Sequence, residues 1–205
     1  MFPEAITSEQ KRIFDKLKNF PEYYLAGGTA LALQIGHRIS VDFDLFFEKD
    51  LPHSLLNKVR KTFRSSKIKV QISRSEQLTL NLNSSQLTFV KYPYPLLFKL
   101  KTYEGVNLLS IPEIAATKAY VIGRRATFKD YIDLYFILGE KFVLLQEIIN
   151  ICEKKYKDEF NDRLFLEQLV YFGDIEEVPI QFLKKSVSKE QMAKFFQEEV
   201  KKIKF

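Results

Sequence analysis

Residues 23–47 constrain the fold more than any other stretch of this chain. Tyr23-Tyr24-Leu25-Ala26 reads as a strand that stops at Gly27-Gly28. Thr29 to Ile35 then reads as one to two helical turns, with Gly36 as the stop. Val41 to Phe47 is a short apolar run rich in aromatics, the signature of a buried strand. Side chains alternate along a strand, so Asp42, Asp44 and Phe46 share one face, and Val41, Phe43, Leu45 and Phe47 share the other. Two ionised carboxylates in an apolar strand are costly unless something positive compensates them. Mg²⁺ fits, because it takes oxygen ligands and is usually held by one or two carboxylates plus substrate phosphates.

The glycine turn supplies the other half of such a site. Paired glycines let the backbone turn sharply and let phosphates come close. The helix that follows offers free N–H groups and a positive dipole end, with the Thr29 hydroxyl beside them. The spaced Gly-Lys-Ser/Thr of a Walker P-loop is missing. Taken singly, Gly27-Gly28 is a tight turn, and Asp42 is a cap or a partner for Arg38. Taken together and in this order, they predict a phosphate cradle and a metal site in one active centre.

At these residues the chain resembles a known group. A Gly-Gly/Ser turn followed by Asp-x-Asp on the next strand is the motif of the polymerase β-type nucleotidyltransferase fold. The fuller string runs from Ala26-Gly27-Gly28-Thr29 through Gly36-His37-Arg38 and Ser40 to Asp42-Phe43-Asp44-Leu45-Phe46. It is similar to the AbiEii/AbiGii-type toxin family, which includes the MenT toxins. The resemblance implies nucleotide binding by Gly27, Gly28, Thr29, Arg38 and Ser40, and metal binding by Asp42 and Asp44.

Bulk properties narrow the class. The 205 residues, 46% of them hydrophobic, suffice for one good core with a helical annex. No apolar run is suited to a membrane span, and Met1-Phe2-Pro3-Glu4 is not the basic-then-apolar start of a signal peptide. A single cysteine, Cys152, forbids an internal disulfide and fits a reducing cytoplasm. It sits in an apolar helical stretch, as a buried inert thiol would. Two histidines and one cysteine leave no zinc site. The net charge of +6 favours a polyanionic partner such as RNA, although interspersed charge can also be compositional bias.

Along the chain, Thr7 or Ser8 opens a helix to about Lys18, and Leu51 to Arg64 reads as another. Ile68–Ile72, Leu78–Leu82 and Leu87–Val90 alternate like a meander, with a hairpin turn at Asn83-Ser84-Ser85. Tyr92-Pro93-Tyr94-Pro95 breaks the pattern, and from Ser110 onward the reading is helical. An amphipathic helix over 190–204 reads as a packing element. The expected fold class is α+β: a nucleotidyltransferase core of mixed sheet flanked by helices over 1–108, and a helical part over 109–205 that completes the active site.

A second constellation lies in that helical part. Ser110-Ile111-Pro112-Glu113 reads as a helix start with a capping box. Lys118 then falls in an apolar stripe with Ile114, Ala115, Val121 and Ile122. A buried lysine there must meet a carboxylate or point into a phosphate site. Thr127-x-x-Asp130 is also a capping box. The resemblance extends over this block and implies that Lys118 and Asp130 complete the active site. Asp133 is expected to orient its helix or pair with Arg124 or Arg125. Many polymerase β-type enzymes carry a third carboxylate on a later core strand, and Leu78–Leu82 and Leu87–Lys91 have none. That points to a one-metal site in place of two, in which Asp130 or Lys118 assists proton transfer or no base is present.

The expected activity is Mg²⁺-dependent transfer of a nucleoside monophosphate from an NTP to an acceptor. The resemblance implies a type IV toxin acting on RNA such as tRNA, with a cognate antitoxin. The alternatives are a small-molecule, antibiotic-modifying nucleotidyltransferase and an inactive nucleotide-binding relic.

Overall fold

Leucine and phenylalanine at alternate strand positions decide the sheet. The computed structural model describes residues 1–125 and 127–203. It divides into two compact units: one holds 1–94 and 99–109, the other 95–98 and the chain from Ser110 onward.

The first unit begins with α1 (Ser8–Leu17), β1 (Tyr24–Ala26), α2 (Gly27–Ile35) and β2 (Phe43–Phe47). It continues through α3 (Leu55–Thr62), β3 (Ile68–Ser73), β4 (Gln77–Leu82), β5 (Ser85–Lys91), β6 (Lys101–Tyr103) and β7 (Val106–Leu108). The strands form one mixed sheet in the order β3-β4-β5-β2-β1-β7-β6. β2 runs parallel to β5 and β1 parallel to β7; the other pairs are antiparallel. Leu25, Phe43, Leu45, Leu80, Leu87 and Phe89 are all buried in the core. Each such side chain contributes about 1.5–3 kcal/mol by leaving water.

Thr7 caps α1 in a capping box with Gln10, as the sequence suggests. Three local expectations are corrected. The helix expected over Leu51 to Arg64 runs only from Leu55 to Thr62, and the Leu51 N–H donates to Ser75 O at 2.7 Å, which ties the segment before the helix to the β3–β4 turn. α2 begins at Gly27 itself, so both glycines belong to its first turn. The strand expected from Val41 begins at Phe43, and Val41 is exposed. The β6–β7 hairpin carries no sequence period, since each strand has three residues. Glu104 and Gly105, at φ 49° and 80°, make its tight turn.

The second unit holds α4 (Ile111–Arg125), α5 (Phe128–Gly139), α6 (Leu145–Tyr156), α7 (Asp162–Val170) and α8 (Lys189–Val200). Of the helix expected over 190–204, α8 ends at Val200 and Lys204 lies outside the described residues. Cys152 is buried in α6, burial pushes its thiol pKa well up, and its Sγ lies 3.5 Å from Ala116 O. No helix among the described residues is long and apolar enough to cross a membrane.

The Ser110–Glu113 capping box does not form. The Ser110 hydroxyl has no hydrogen-bond partner among the described residues. The Glu113 carboxylate pairs instead with Lys155 Nζ at 2.6 Å, with both side chains fully buried. It also accepts the backbone N–H groups of Leu97 and Phe98, while Lys155 donates to Pro95 O at 2.7 Å. A buried ammonium outcompetes the neutral cap for the same carboxylate.

Candidate active site

The sheet register brings the glycine turn onto the carboxylates. β1 and β2 are antiparallel with Ala26 opposite Asp44, so the residue after Ala26 lies beside the Asp44 side chain. Gly27 adopts φ +65°, and a Cβ built on it would lie 2.7 Å from Asp44 Oδ2. The missing side chain is the space that the carboxylate occupies. Along β2, Phe43 and Leu45 are buried, whereas Asp44 and the preceding Asp42 are half-buried, the alternation that the sequence calls for.

The segment leading into Asp42 is tied down from three elements. Thr29, 1% exposed in α2, has its hydroxyl on both the Asp42 carbonyl and Ser40 Oγ, the latter at 2.7 Å. A carbonyl only accepts, so the Thr29 proton goes to Asp42 O and the Ser40 hydroxyl donates to Thr29. Ser40 N–H donates to Ala5 O at 2.9 Å, and the Gln10 amide of α1 donates to Val41 O at 3.3 Å. Arg38 is buried and its Nη1 lies 3.2 Å from the Ile39 carbonyl. Thr29, Ser40 and Arg38 are thus engaged with the backbone of the segment that delivers the aspartates. Gly27 and Gly28 stand at the start of α2, whose N-cap, Ala26, provides no capping side chain.

Across the sheet, Asp42 Oδ1 accepts the Gln86 N–H of β5 at 3.2 Å, and Thr88 is the register partner of Asp44. Thr88 stands on β5, one of the strands on which the sequence lacks a third carboxylate. It is buried, 3.4 Å from the Thr79 hydroxyl of β4. Gln10, Gln86 and Thr88 were not legible as site residues, because contacts between distant segments leave no local period.

In the second unit, Lys118 Nζ lies 2.7 Å from Asp130 Oδ1 and 2.8 Å from Asp133 Oδ2. The lysine therefore meets carboxylates, and two of them. Asp130 serves two groups: its Oδ2 accepts from Thr127 N at 3.1 Å and from the Thr127 hydroxyl at 2.6 Å, completing the expected capping box. Asp133, expected to orient its helix or to pair with Arg124 or Arg125, is fully buried, and its ion pair is with Lys118 instead. Arg124 lies over the Tyr120 ring at 3.7 Å and donates to Glu159 O at 2.9 Å.

Gly27→Ala tests the fit of turn to carboxylate. A left-handed φ and a 2.7 Å approach to Asp44 both oppose the new methyl. The expected cost is about 1–3 kcal/mol of stability. Moving a reacting group by roughly 1 Å costs on the order of 100-fold in rate. Thermal melts and nucleotide-transfer rates check this, and a wild-type rate would show that Asp44 needs no such space.

Comparison with known proteins gives four matches. The family model described as "Nucleotidyl transferase AbiEii toxin, Type IV TA system" matches residues 11–205. An uncharacterised Aquifex aeolicus protein, aq_aa25, is 30% identical over 177 residues, covering 84% of this chain and 85% of that one. In fold, the chain is similar to the MenT4 nucleotidyltransferase toxin of Mycobacterium tuberculosis H37Rv (TM-score 0.63, 16% identity, 96% of this chain and 82% of that one). It is also similar to JHP933 of Helicobacter pylori (TM-score 0.56, 16% identity, 96% and 95%).

Proposed function

The chain belongs to the AbiEii nucleotidyl transferase toxin family, and from that premise we propose a Mg²⁺-dependent enzyme that moves a nucleoside monophosphate from an NTP to RNA, tRNA in particular, in the cytoplasm and under the control of a cognate antitoxin. One observation carries the reading: Gly27, at a left-handed φ, makes room for the Asp44 carboxylate at the start of α2.

The donor set suits Mg²⁺. Among the described residues no group of three or more His, Cys, Asp or Glu side chains forms a metal cage. Two carboxylates, with the remaining ligands from substrate phosphates and water, is how Mg²⁺ is usually held. Asp42 and Asp44 would hold it, and bound there it would neutralise triphosphate charge. Gly27 and Gly28 let the phosphates approach the N–H groups and positive end of α2. Thr29 and Ser40 act as positioning residues by fixing the backbone at Asp42. The family resemblance assigns Lys118 to charge developing on the phosphates and Asp130 to proton transfer or metal ligation; within the second unit, Lys118 is held between Asp130 and Asp133. In the reaction an acceptor hydroxyl attacks the α-phosphorus, loses its proton and displaces pyrophosphate.

The test incubates total RNA and Mg²⁺ with each α-labelled NTP, using the wild type and Asp42→Ala/Asp44→Ala. Label is expected in a tRNA-sized band with the wild type only, for one or a few nucleotides. No label from any NTP would remove RNA as acceptor and turn the search to aminoglycoside-like small molecules.

A further inference from the structure

The first unit contains a groove of about 560 Å³ that the reaction above leaves unused. Its size falls within the range of about 300–1,000 Å³ at which clefts take small ligands. Arg12 and Lys16 line it from α1, Ser65 and Ser66 from the segment after α3, and Asn83 from the β4–β5 turn. Phe63, fully buried, contributes an apolar wall.

Lys11, next to Arg12, is neutralised by Asp15 and Glu104. Arg12 itself makes no ion pair or hydrogen bond among the described residues. Lys16 meets no carboxylate among the described residues: its Nζ lies 3.4 Å from Ser65 Oγ and 5.5 Å over the Phe63 ring. Glu9 also lines the groove, and its Oε2 accepts from the Ser84 hydroxyl at 3.1 Å. Asn83 Oδ1 accepts Lys67 N–H at 3.0 Å, which leaves the amide N–H₂ to donate. Two cations, serine hydroxyls and an amide donor suit an anionic ligand.

Its position ties the groove to the reaction. The turn bearing Asn83 runs into β5, where Gln86 N–H holds the Asp42 carboxylate. Asn83 and Gln86 are three positions apart across the end of that turn, so at most about 10 Å separates them. The geometry points to this groove as the seat of an acceptor RNA strand, with Arg12 and Lys16 each gripping a phosphodiester upstream of the hydroxyl that reacts near Asp42. The assignment rests on the RNA-acceptor reading above and adds where the strand lies.

Fluorescence anisotropy of labelled bacterial tRNA against the wild type and Arg12→Ala/Lys16→Ala, over a salt series, tests it. Loss of two phosphate contacts should weaken binding at low salt roughly tenfold or more and flatten the log–log salt slope by about 1.5–2. The KM for NTP should hold while the KM for RNA rises. Thermal melts verify folding, since Arg12 is exposed and Lys16 half-buried. Equal affinity and slope in the two proteins, with RNA still labelled by the wild type, would overturn the groove alone. A wild type that neither binds nor labels tRNA would overturn the acceptor reading and the groove together. Polyglutamate that displaces tRNA as well as unlabelled tRNA does at equal charge would make this an acidic-protein surface, against the proposal.

Discussion

Asp44→Asn should lose nucleotide transfer by a factor of about 10²–10³ or more while the protein melts close to the wild type. The amide matches the carboxylate in size, so β2 keeps its pairing, with Asp44 opposite Ala26 on one side and Thr88 on the other. Gly27 still leaves room for the side chain. What disappears is the negative charge. Removing one preorganised electrostatic group from a reacting centre typically costs about 10²–10³ in rate, and a lost hard-anion ligand for Mg²⁺ compounds that. A half-buried position outside the apolar core changes stability little. Single-turnover transfer from an α-labelled NTP, run beside a thermal melt, reads both quantities. A variant within a few-fold of the wild-type rate would sink the metal-ligand role of Asp44. A variant that melts far lower would make the residue structural instead.

The same residues show how much the sequence discloses. Strand, glycine turn, helix and Asp-x-Asp are local patterns, each set by a period of two, a positive φ or a cap, and they are legible one after another. Capping at Thr7 and Thr127 is legible for the same reason, since donor and acceptor are three residues apart. The Ser110–Glu113 box has the same spacing and fails, because its carboxylate is claimed by Lys155, 42 positions away. Nothing in the local string announces a partner at that separation. The Gln86 N–H on Asp42 is invisible likewise, because it depends on which strand pairs with which and in what register. β6 and β7 escape notice because three residues cannot display a period. For Lys118 the cost of a buried ammonium correctly demands a partner, and the structure supplies two. Of the two partners that the sequence allows, the structure shows the carboxylates; contact with a phosphate belongs to the proposed reaction.

Lys155→Met is expected to produce the largest loss of stability in the second unit. The substitution keeps the apolar volume and removes the charge opposite Glu113, whose carboxylate is fully buried. An ion stranded in the interior costs about 3–5 kcal/mol when its partner is deleted, roughly 6–20 °C of melting temperature for a chain of this length. The loss also reaches the backbone, because Lys155 holds Pro95 O, while Glu113 holds the N–H groups of Leu97 and Phe98. Glu113→Gln alone should cost less than Lys155→Met. Its amide oxygen still accepts from Leu97 and Phe98, and Lys155 retains the Pro95 carbonyl. The decisive comparison is the double variant Glu113→Gln/Lys155→Met. With no charge left to strand, it should recover much of the stability that Lys155→Met loses, since buried ion pairs are commonly replaced by neutral residues at little net cost. Additive losses in the double variant would mean that the two side chains stabilise the unit independently, through packing and backbone hydrogen bonds, and that their charges are not coupled.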